Sequence, residues 1–206
     1  MKFLEFNKIL CLSPHPDDVE YSMAGTILKH KNTHFDILTL TSGGDHDLTN
    51  NQPRSEEVKN FWKGVNNVSL FFGVNSSFKA MDEASWVNFI ESKFLKDHDA
   101  ICLPSNHDSH FEHRFTSNFG YALTRVKPIS LIEYMSPSTL RSWQPNTFVD
   151  ISKVYKTKKK KLKEFGSQKE RSYFHNKQVD GFHFEFQCAK KNIFLVEQFK
   201  IKQNFK

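Results

Sequence analysis

A histidine and two aspartates stand close together in the segment Ser13-Pro14-His15-Pro16-Asp17-Asp18-Val19-Glu20. His15 and Asp18 are three residues apart, so a single turn can direct both side chains at one metal ion. Pro16 stiffens that turn because its ring fixes one φ angle. Asp17 then lies beside the ion without having to bind it, which is where a base must stand to take a proton from a metal-bound water. The alternative is an acidic first turn in which Asp17 or Asp18 only caps a helix.

A second cluster of the same residue types follows in His107-Asp108-Ser109-His110-Phe111-Glu112-His113-Arg114. This cluster should supply the third metal ligand beside those of the first. Two histidines and a carboxylate leave coordination positions open for water and substrate, as catalytic zinc sites do. The same donor set can hold non-haem Fe(II), so the spacing does not choose the metal. One such loop alone could be a polar surface loop. Two of them, each directly after a predicted strand, favour a metal hydrolase site.

The elements that must position these clusters alternate along the first half of the chain. Apolar runs predict strands at Lys8–Ser13, Phe35–Thr41, Val68–Phe72, Ala100–Leu103 and Ile129–Tyr134. Amphipathic segments predict helices at Val19–His30, Pro53–Gly64, Ala84–Lys96 and Glu112–Val126. This alternation implies a single α/β domain over residues 1–206, with a parallel sheet and helices on both faces. Both clusters would then lie at the carboxyl edge of the sheet, where ligands bind in such folds.

The second half is predicted to carry no comparable chemistry. Residues 148–151 resemble a strand end or a turn, and Val154–Phe165 an amphipathic helix with its lysines outside. The aromatic residues that follow are expected to pack in the core or in a lid, with a sugar-stacking platform as the alternative. They are Tyr173, Phe174, Phe182, Phe184 and Phe186.

Composition excludes several classes of protein. The chain has 206 residues, which suffices for one domain with a full core, and it contains no apolar run long enough to span a bilayer. Its N-terminus lacks a signal-peptide pattern. The three cysteines show no paired CxxC spacing, and two of them, Cys11 and Cys102, lie in apolar runs, whereas Cys188 does not. A reduced, cytoplasmic location is therefore expected.

The formal net charge of +6 is local. Six lysines cluster in one run, and without them 23 basic residues face 23 acidic ones. They are Lys156, Lys158, Lys159, Lys160, Lys161 and Lys163. A solvated helix face is the simpler interpretation, and a patch for an anionic partner is the alternative. No nucleic-acid motif accompanies the run, so no nucleic-acid partner is expected.

Taken together, the motifs resemble the PIG-L/LmbE family of zinc-dependent N-deacetylases. The first cluster, followed by Ala24-Gly25-Thr26, is similar to the family's opening motif, and the second to its later motif, in which an acid precedes a ligand histidine. The run from Arg54 to Glu57 resembles its Arg-x-x-Glu helix start. Residues 145–152, Ser167-Gln168 and Val196-Glu197-Gln198-Phe199 resemble a bacterial branch concerned with sugar or polysaccharide biosynthesis. The resemblance implies a Rossmann-like, mostly parallel sheet.

The resemblance also implies roles for individual residues. Three side chains match the family's Zn²⁺ ligands: His15, Asp18 and His113. Asp17 matches its general base, and a protonated His110 its acid or oxyanion stabiliser. Asp108 would orient a histidine ring. Arg54 and Glu20 would contact substrate or support the ligands. Glu112 stands where the family usually has Asp, and this departure removes no metal ligand.

The implied activity is hydrolysis of a linear amide bond that removes an N-acyl group, most simply N-acetyl, from an amino sugar or sugar conjugate. The partner would be a small molecule, free or linked to a nucleotide or lipid. Zn²⁺ is the expected cofactor, with Fe²⁺ or another divalent ion as alternatives. Hydrolysis of a formamide or a thiol-conjugate amide is the rival reaction. A binding protein that docks an anionic partner through residues 156–163 is the rival class. No interface signature decides whether the chain forms a homo-oligomer.

Overall fold

The computed structural model of the protein describes residues 3–43, 54–75, 82–185 and 195–205. Three residues discussed above lie outside the described residues: Pro53, Phe186 and Cys188. Within the described residues the strands are β1 (Lys8–Ser13), β2 (His34–Thr41), β3 (Val68–Asn75), β4 (Ala100–Pro104), β5 (Ser130–Tyr134), β6 (Thr147–Asp150) and β7 (Val196–Gln203). The helices are α1 (Asp18–Lys29), α2 (Arg54–Trp62), α3 (Glu83–Lys93), α4 (Phe111–Ala122), α5 (Tyr155–Lys161) and α6 (Asn176–His183).

These strands form one sheet in the order β3-β2-β1-β4-β5-β7-β6. β1 to β5 run parallel, and β7 pairs antiparallel with both β5 and β6. The predicted α/β class with a mostly parallel sheet is confirmed, and all five predicted strands are present. The strand at residues 196–203 was not expected, because a buried acid, Glu197, interrupts its apolar pattern. That the whole chain is a single domain stays a prediction.

Helices cover both faces of the sheet, as predicted. Alternate residues of β1 point to opposite faces: Ile9 and Cys11 join a core with α1, α2 and α5, whereas Leu10 and Leu12 join a core with α3 and α4. Both strand faces are therefore apolar, which is what a central parallel strand requires. Cys102 lies opposite Cys11 in the parallel register, and both thiols are buried and free.

The lysine-rich helix departs from the prediction that all its lysines face outward. Lys158 lies on the same side of the helix as Tyr155 and Leu162, so it joins the buried stripe and is 0% exposed. Its Nζ lies 2.7 Å from Nε2 of the buried His183. The remaining lysines of this run are exposed or partly exposed: Lys156, Lys159, Lys160, Lys161 and Lys163.

A buried ion pair between Lys158 and Glu197 connects α5 and β7 to α1. Nζ of Lys158 donates to Oε1 of Glu197 (2.6 Å) and to the backbone oxygen of Tyr21 (2.5 Å). The Glu197 carboxylate in turn accepts from the backbone N–H groups of Gly25 (2.7 Å) and Thr26 (2.6 Å). A Cβ at Gly25 would lie 2.9 Å from Oε1, so the close approach of the carboxylate needs a glycine here.

Two glycines provide a matched test of backbone packing. A Cβ at Gly73, in β3, would lie 2.1 Å from the backbone oxygen of Leu40, close to where the β2–β3 register shifts. We expect Gly73→Ala to lower the free energy of unfolding by about 1–3 kcal/mol, because the strands would have to separate. Urea unfolding followed by circular dichroism measures this change.

The control is Gly181→Ala in α6, where a Cβ would meet no atom within 4 Å. This exchange should raise the free energy of unfolding by up to about 1 kcal/mol, since alanine is the better helix former. Equal effects of the two substitutions would contradict the packing described for β2 and β3.

Candidate active site

Hydrogen bonds fix the loop that follows β1 in one conformation. Ser13 Oγ donates to the backbone oxygen of His15 (2.8 Å), and the backbone N–H of His15 donates to Oδ2 of Asp18 (2.8 Å). Thr41, at the end of β2, donates to the backbone oxygen of Pro14 through both its N–H and its hydroxyl. Asp17 has a φ angle of 125°, a strained value for a residue with a side chain. Such strain is common where a side chain must be aimed at a reaction centre.

The structure brings together the three predicted metal ligands. Oδ2 of Asp18 lies 3.0 Å from Nδ1 of His15, and Oδ1 of Asp18 lies 3.2 Å from Nε2 of His113. One donor atom from each residue lies within 4.8 Å of the others. Two ligand atoms that are each bonded to one tetrahedral zinc lie about 3.3 Å apart. The donor types and their spacing therefore fit a divalent ion held between β1 and β4.

The three predicted ligands shift one another's pKa values, with Asp18 at the centre. Burial lowers the pKa of His15 and of His113, but Asp18, with Glu112 beside His15 and Asp108 beside His113, outweighs burial and raises these pKa values to about 9 and about 10. Burial raises the pKa of Asp18, yet His113 and His15 together hold it well below its usual range. A carboxylate between two imidazolium rings is a place where one divalent cation can replace two protons.

Asp108 contacts the ring of His113, which is one of the three predicted ligands. Its Oδ2 lies 3.1 Å from Nδ1 of His113, which directs the opposite ring nitrogen, Nε2, at Asp18. The same carboxylate accepts hydrogen bonds from the hydroxyl of Ser136 (2.5 Å) and from the backbone N–H of His110 (2.8 Å). The ring of His113 is therefore fixed by contacts outside the ligand set.

Asp17 lies beside this set and is held by Arg54. Their side chains form an ion pair of 3.1 Å, and Arg54 also donates to the backbone oxygen of Pro16. Burial raises the pKa of the Asp17 carboxyl to about 7, although Arg54 acts in the opposite direction. Arg54 is only 9% exposed, so it lies inside the site rather than on the outer surface.

Glu112 and Glu20, the two other acids of the motifs, differ in whether they line the cleft. Glu112, noted from the sequence only as a departure, has Oε2 2.5 Å from Nε2 of His15. With His15 and His110 it forms a second set of donor atoms within 4.8 Å. Glu20 does not line the cleft: it is buried behind the first loop, where it accepts from the indole N–H of Trp62 (2.6 Å). Burial raises the pKa of Glu20 to about 7.

His110 lies at the cleft with its ring near those of His15 and His113. Burial lowers the pKa of His110, and His113 and His15 lower it further. The backbone N–H of Glu112 donates to Nδ1 of His110 (3.3 Å), so Nδ1 acts as an acceptor and the proton of the neutral ring sits on Nε2. Nε2 of His110 is therefore the ring atom that can donate, and the role of a protonated His110 as acid or oxyanion stabiliser stays a prediction.

These residues line a cleft of about 680 Å³ at the carboxyl edge of the sheet. The second half of the chain supplies part of its wall, although the sequence predicts no comparable chemistry there. The lining residues from that half are Pro137, Ser138, Gln168, Arg171, Ser172 and Tyr173. The sequence indicates Gln168 and Tyr173 among these, whereas the other four lie in segments with no chemical motif of their own.

A model of the GlcNAc-PI de-N-acetylase family, PIG-L, matches residues 10–124, which include both clusters. The chain belongs to the PIG-L family. It is 25% identical to the diacetylchitobiose deacetylase of Thermococcus kodakarensis over 198 residues, which cover 81% of this chain and 72% of that protein.

Solved structures share the PIG-L fold of the chain. The N,N'-diacetylchitobiose deacetylase of Pyrococcus horikoshii superimposes with a TM-score of 0.75 at 17% identity, over 97% of this chain and 85% of the other. The 4-carboxy-2-hydroxymuconate hydratase GalB of Pseudomonas putida KT2440 superimposes with 0.74 at 14% identity, over 95% and 96%. Because these two proteins differ in reaction, the fold alone does not determine the activity. Among the residues that the structure describes, no helix has the length and apolarity to cross a membrane.

Asp108→Asn tests whether this carboxylate supports metal binding. We expect the affinity for Zn²⁺ to fall about 10- to 100-fold, because His113 loses the charged acceptor that directs its ring. Competition with a chromophoric chelator measures the affinity, and Glu170→Gln on the exposed surface is the control. An unchanged affinity in Asp108→Asn would show that the ring is held by other contacts.

Proposed function

We propose that the protein is a divalent-metal-dependent N-deacetylase that acts on an N-acetylated amino sugar or sugar conjugate. The observation that carries this proposal is the position of Asp17 beside the His15, Asp18 and His113 set in one cleft. Membership of the PIG-L family and the likeness to a diacetylchitobiose deacetylase support amide hydrolysis on a sugar. The substrate is then a small molecule that enters the cleft from solvent, and the expected cytoplasmic location is part of the proposal.

His15, Asp18 and His113 would hold the ion. Two imidazoles and one carboxylate suit Zn²⁺ best, and they also accept Fe²⁺. When bound, such an ion supplies a Lewis acid for the amide carbonyl and lowers the pKa of water. Asp18 contributes the only negative charge of this ligand set, so it would offset half of the charge of a divalent ion.

Asp17 serves as the general base in this proposal. Its carboxylate takes a proton from the attacking water and gives it to the leaving amine nitrogen, so that the C–N bond breaks to yield acetate and an amino sugar. Arg54 keeps the carboxylate aimed into the cleft through the 3.1 Å ion pair. The strained backbone of Asp17 fixes the same direction.

His110 serves as a hydrogen-bond donor to the carbonyl oxygen. Its neutral ring presents the Nε2 proton because Nδ1 is occupied by the backbone N–H of Glu112. A donor that is already in place stabilises the negative charge that develops on that oxygen. This role needs no protonated imidazole.

Asp17→Asn separates the base from the metal site. Asparagine keeps the shape of the side chain and tolerates the positive φ angle, but it cannot accept the proton. We expect Zn²⁺ to remain bound while kcat falls about 100-fold or more. Metal analysis and acetate release from N-acetylglucosamine derivatives measure the two quantities. Retained activity would reject Asp17 as the base.

His113→Ala tests the ligand set itself. We expect loss of both Zn²⁺ and activity, because one of three donors disappears and Asp18 keeps a single partner. His107→Ala is the matched control, since His107 is exposed and does not line the cleft. A fully metallated His113→Ala protein would show that the ion binds elsewhere, for example at the His15, His110 and Glu112 set.

A further inference from the structure

Arg171 is an exposed cation on the wall of the cleft. Its backbone N–H donates to the backbone oxygen of Gln168 (2.9 Å), which fixes the turn that carries it. Among the described residues no carboxylate forms an ion pair with its guanidinium. An arginine in this position is available to a ligand.

Each acid of the cleft already contacts another basic side chain. Asp17 pairs with Arg54, Asp18 lies between His15 and His113, and Glu112 contacts His15. Arg171 is therefore surplus positive charge on a wall whose negative groups are satisfied. A neutral sugar would leave that charge to water, whereas an anionic group would bind it with two parallel hydrogen bonds.

A second cavity lies against the same stretch of chain. Gln168 and residues 171–173 contribute to the cleft, whereas Lys169, Phe174 and His175 contribute to a groove of about 430 Å³. The floor of this groove is apolar: Leu162, Phe165, Phe174 and Val179. Its rim carries Lys159, Lys163 and Lys169.

Among the described residues two of the rim lysines form no ion pair shorter than 4.0 Å, although Glu57 and Glu164 lie on the adjoining surface. Lys159 is paired with Asp180 at 2.7 and 2.9 Å. Lys169 meets Glu170 only at 4.0 Å with both side chains mostly exposed, which is a weak contact. Lys163 is exposed and also lines the neighbouring surface beside Ser167. Lys163 and Lys169 line the groove, and Arg171, two residues after Lys169, lines the cleft; these three residues are called the basic strip.

We propose that this strip binds the diphosphate through which the amino sugar is attached to its carrier. Arg171 would hold the phosphate nearest the sugar, because guanidinium matches phosphate oxygens in a bidentate geometry. Lys163 and Lys169 would neutralise the outer charge, and the apolar floor would face the carrier. The inference rests on the proposed function and adds the chemical class of the substrate. A nucleoside diphosphate sugar and a lipid diphosphate sugar share this chemistry.

The test compares a charged with a neutral substrate on the zinc-loaded full chain. Amine release is measured with UDP-N-acetylglucosamine and with methyl N-acetylglucosaminide. We expect Arg171→Gln to lower kcat/KM for the diphosphate sugar about 10- to 100-fold through KM, the effect of losing a charged hydrogen-bond pair. The neutral glycoside should change less than about twofold, and Arg171→Lys should recover part of the loss.

Arg125→Gln is the matched control, because Arg125 is exposed and pairs with Glu91 rather than lining the cleft. It should leave both substrates unaffected. An Arg171→Gln effect that is equal for the two substrates, or absent for both, would overturn the inference. Substituting both Lys163 and Lys169 by Gln should weaken binding of the diphosphate sugar and reduce its salt dependence.

Calorimetric binding keeps this inference separate from the proposed function. If the protein hydrolyses neither substrate, the proposed function fails, while weaker binding of UDP-N-acetylglucosamine to Arg171→Gln would still support the diphosphate site. If hydrolysis occurs and binding is indifferent to Arg171, only the inference fails. A short-chain polyprenyl diphosphate N-acetylglucosamine that outcompetes the nucleotide sugar would assign the carrier to a lipid, and the reverse order would assign it to a nucleotide.

Discussion

The structure depends on one buried carboxylate, that of Asp18, which is shared between two imidazole rings. A charge removed from water is tolerated only when partners surround it. The partners come from different parts of the chain: His15 from the loop after β1, and His113 from α4 after β4. These strands must therefore be neighbours with matched ends, which the parallel pairing of Cys11 with Cys102 provides. The register of the sheet therefore decides whether the buried Asp18 carboxylate meets both of its histidines.

The first half of the fold could be predicted from the sequence because each central strand is a continuous apolar run. Both clusters were assigned to the correct sheet edge on that basis. Other features depend on contacts between distant residues. Glu197 disguises β7 because an acid inside a strand has meaning only once Lys158 is buried beside it. Glu112 was undervalued because its partner, His15, is 97 positions away. Arg171 has no motif, and only the cavity identifies it.

Chemistry and recognition are divided between the two halves of the chain. The proposed donor atoms, the proposed base and the arginine beside it all come from residues 15–113, which the PIG-L family model covers. The opposite wall is built from turns after residue 136. Such turns tolerate substitution better than strand ends that share a buried charge. The fold is also similar to that of a hydratase, so the same sheet can carry a different reaction when the side chains at its edge differ.

The pair of Lys158 and Glu197 makes the assembly of the site a late event. Glu197 accepts hydrogen bonds from the backbone N–H groups of Gly25 and Thr26 in α1, which lie 172 and 171 positions earlier in the sequence. During synthesis, the helix that carries Asp18 leaves the ribosome long before the residue that anchors it. Until β7 pairs, Lys158 would be a buried cation without its carboxylate, which the core cannot accommodate. Contacts of such high sequence separation slow folding, so α1 would reach its final position only after β7 joins the sheet.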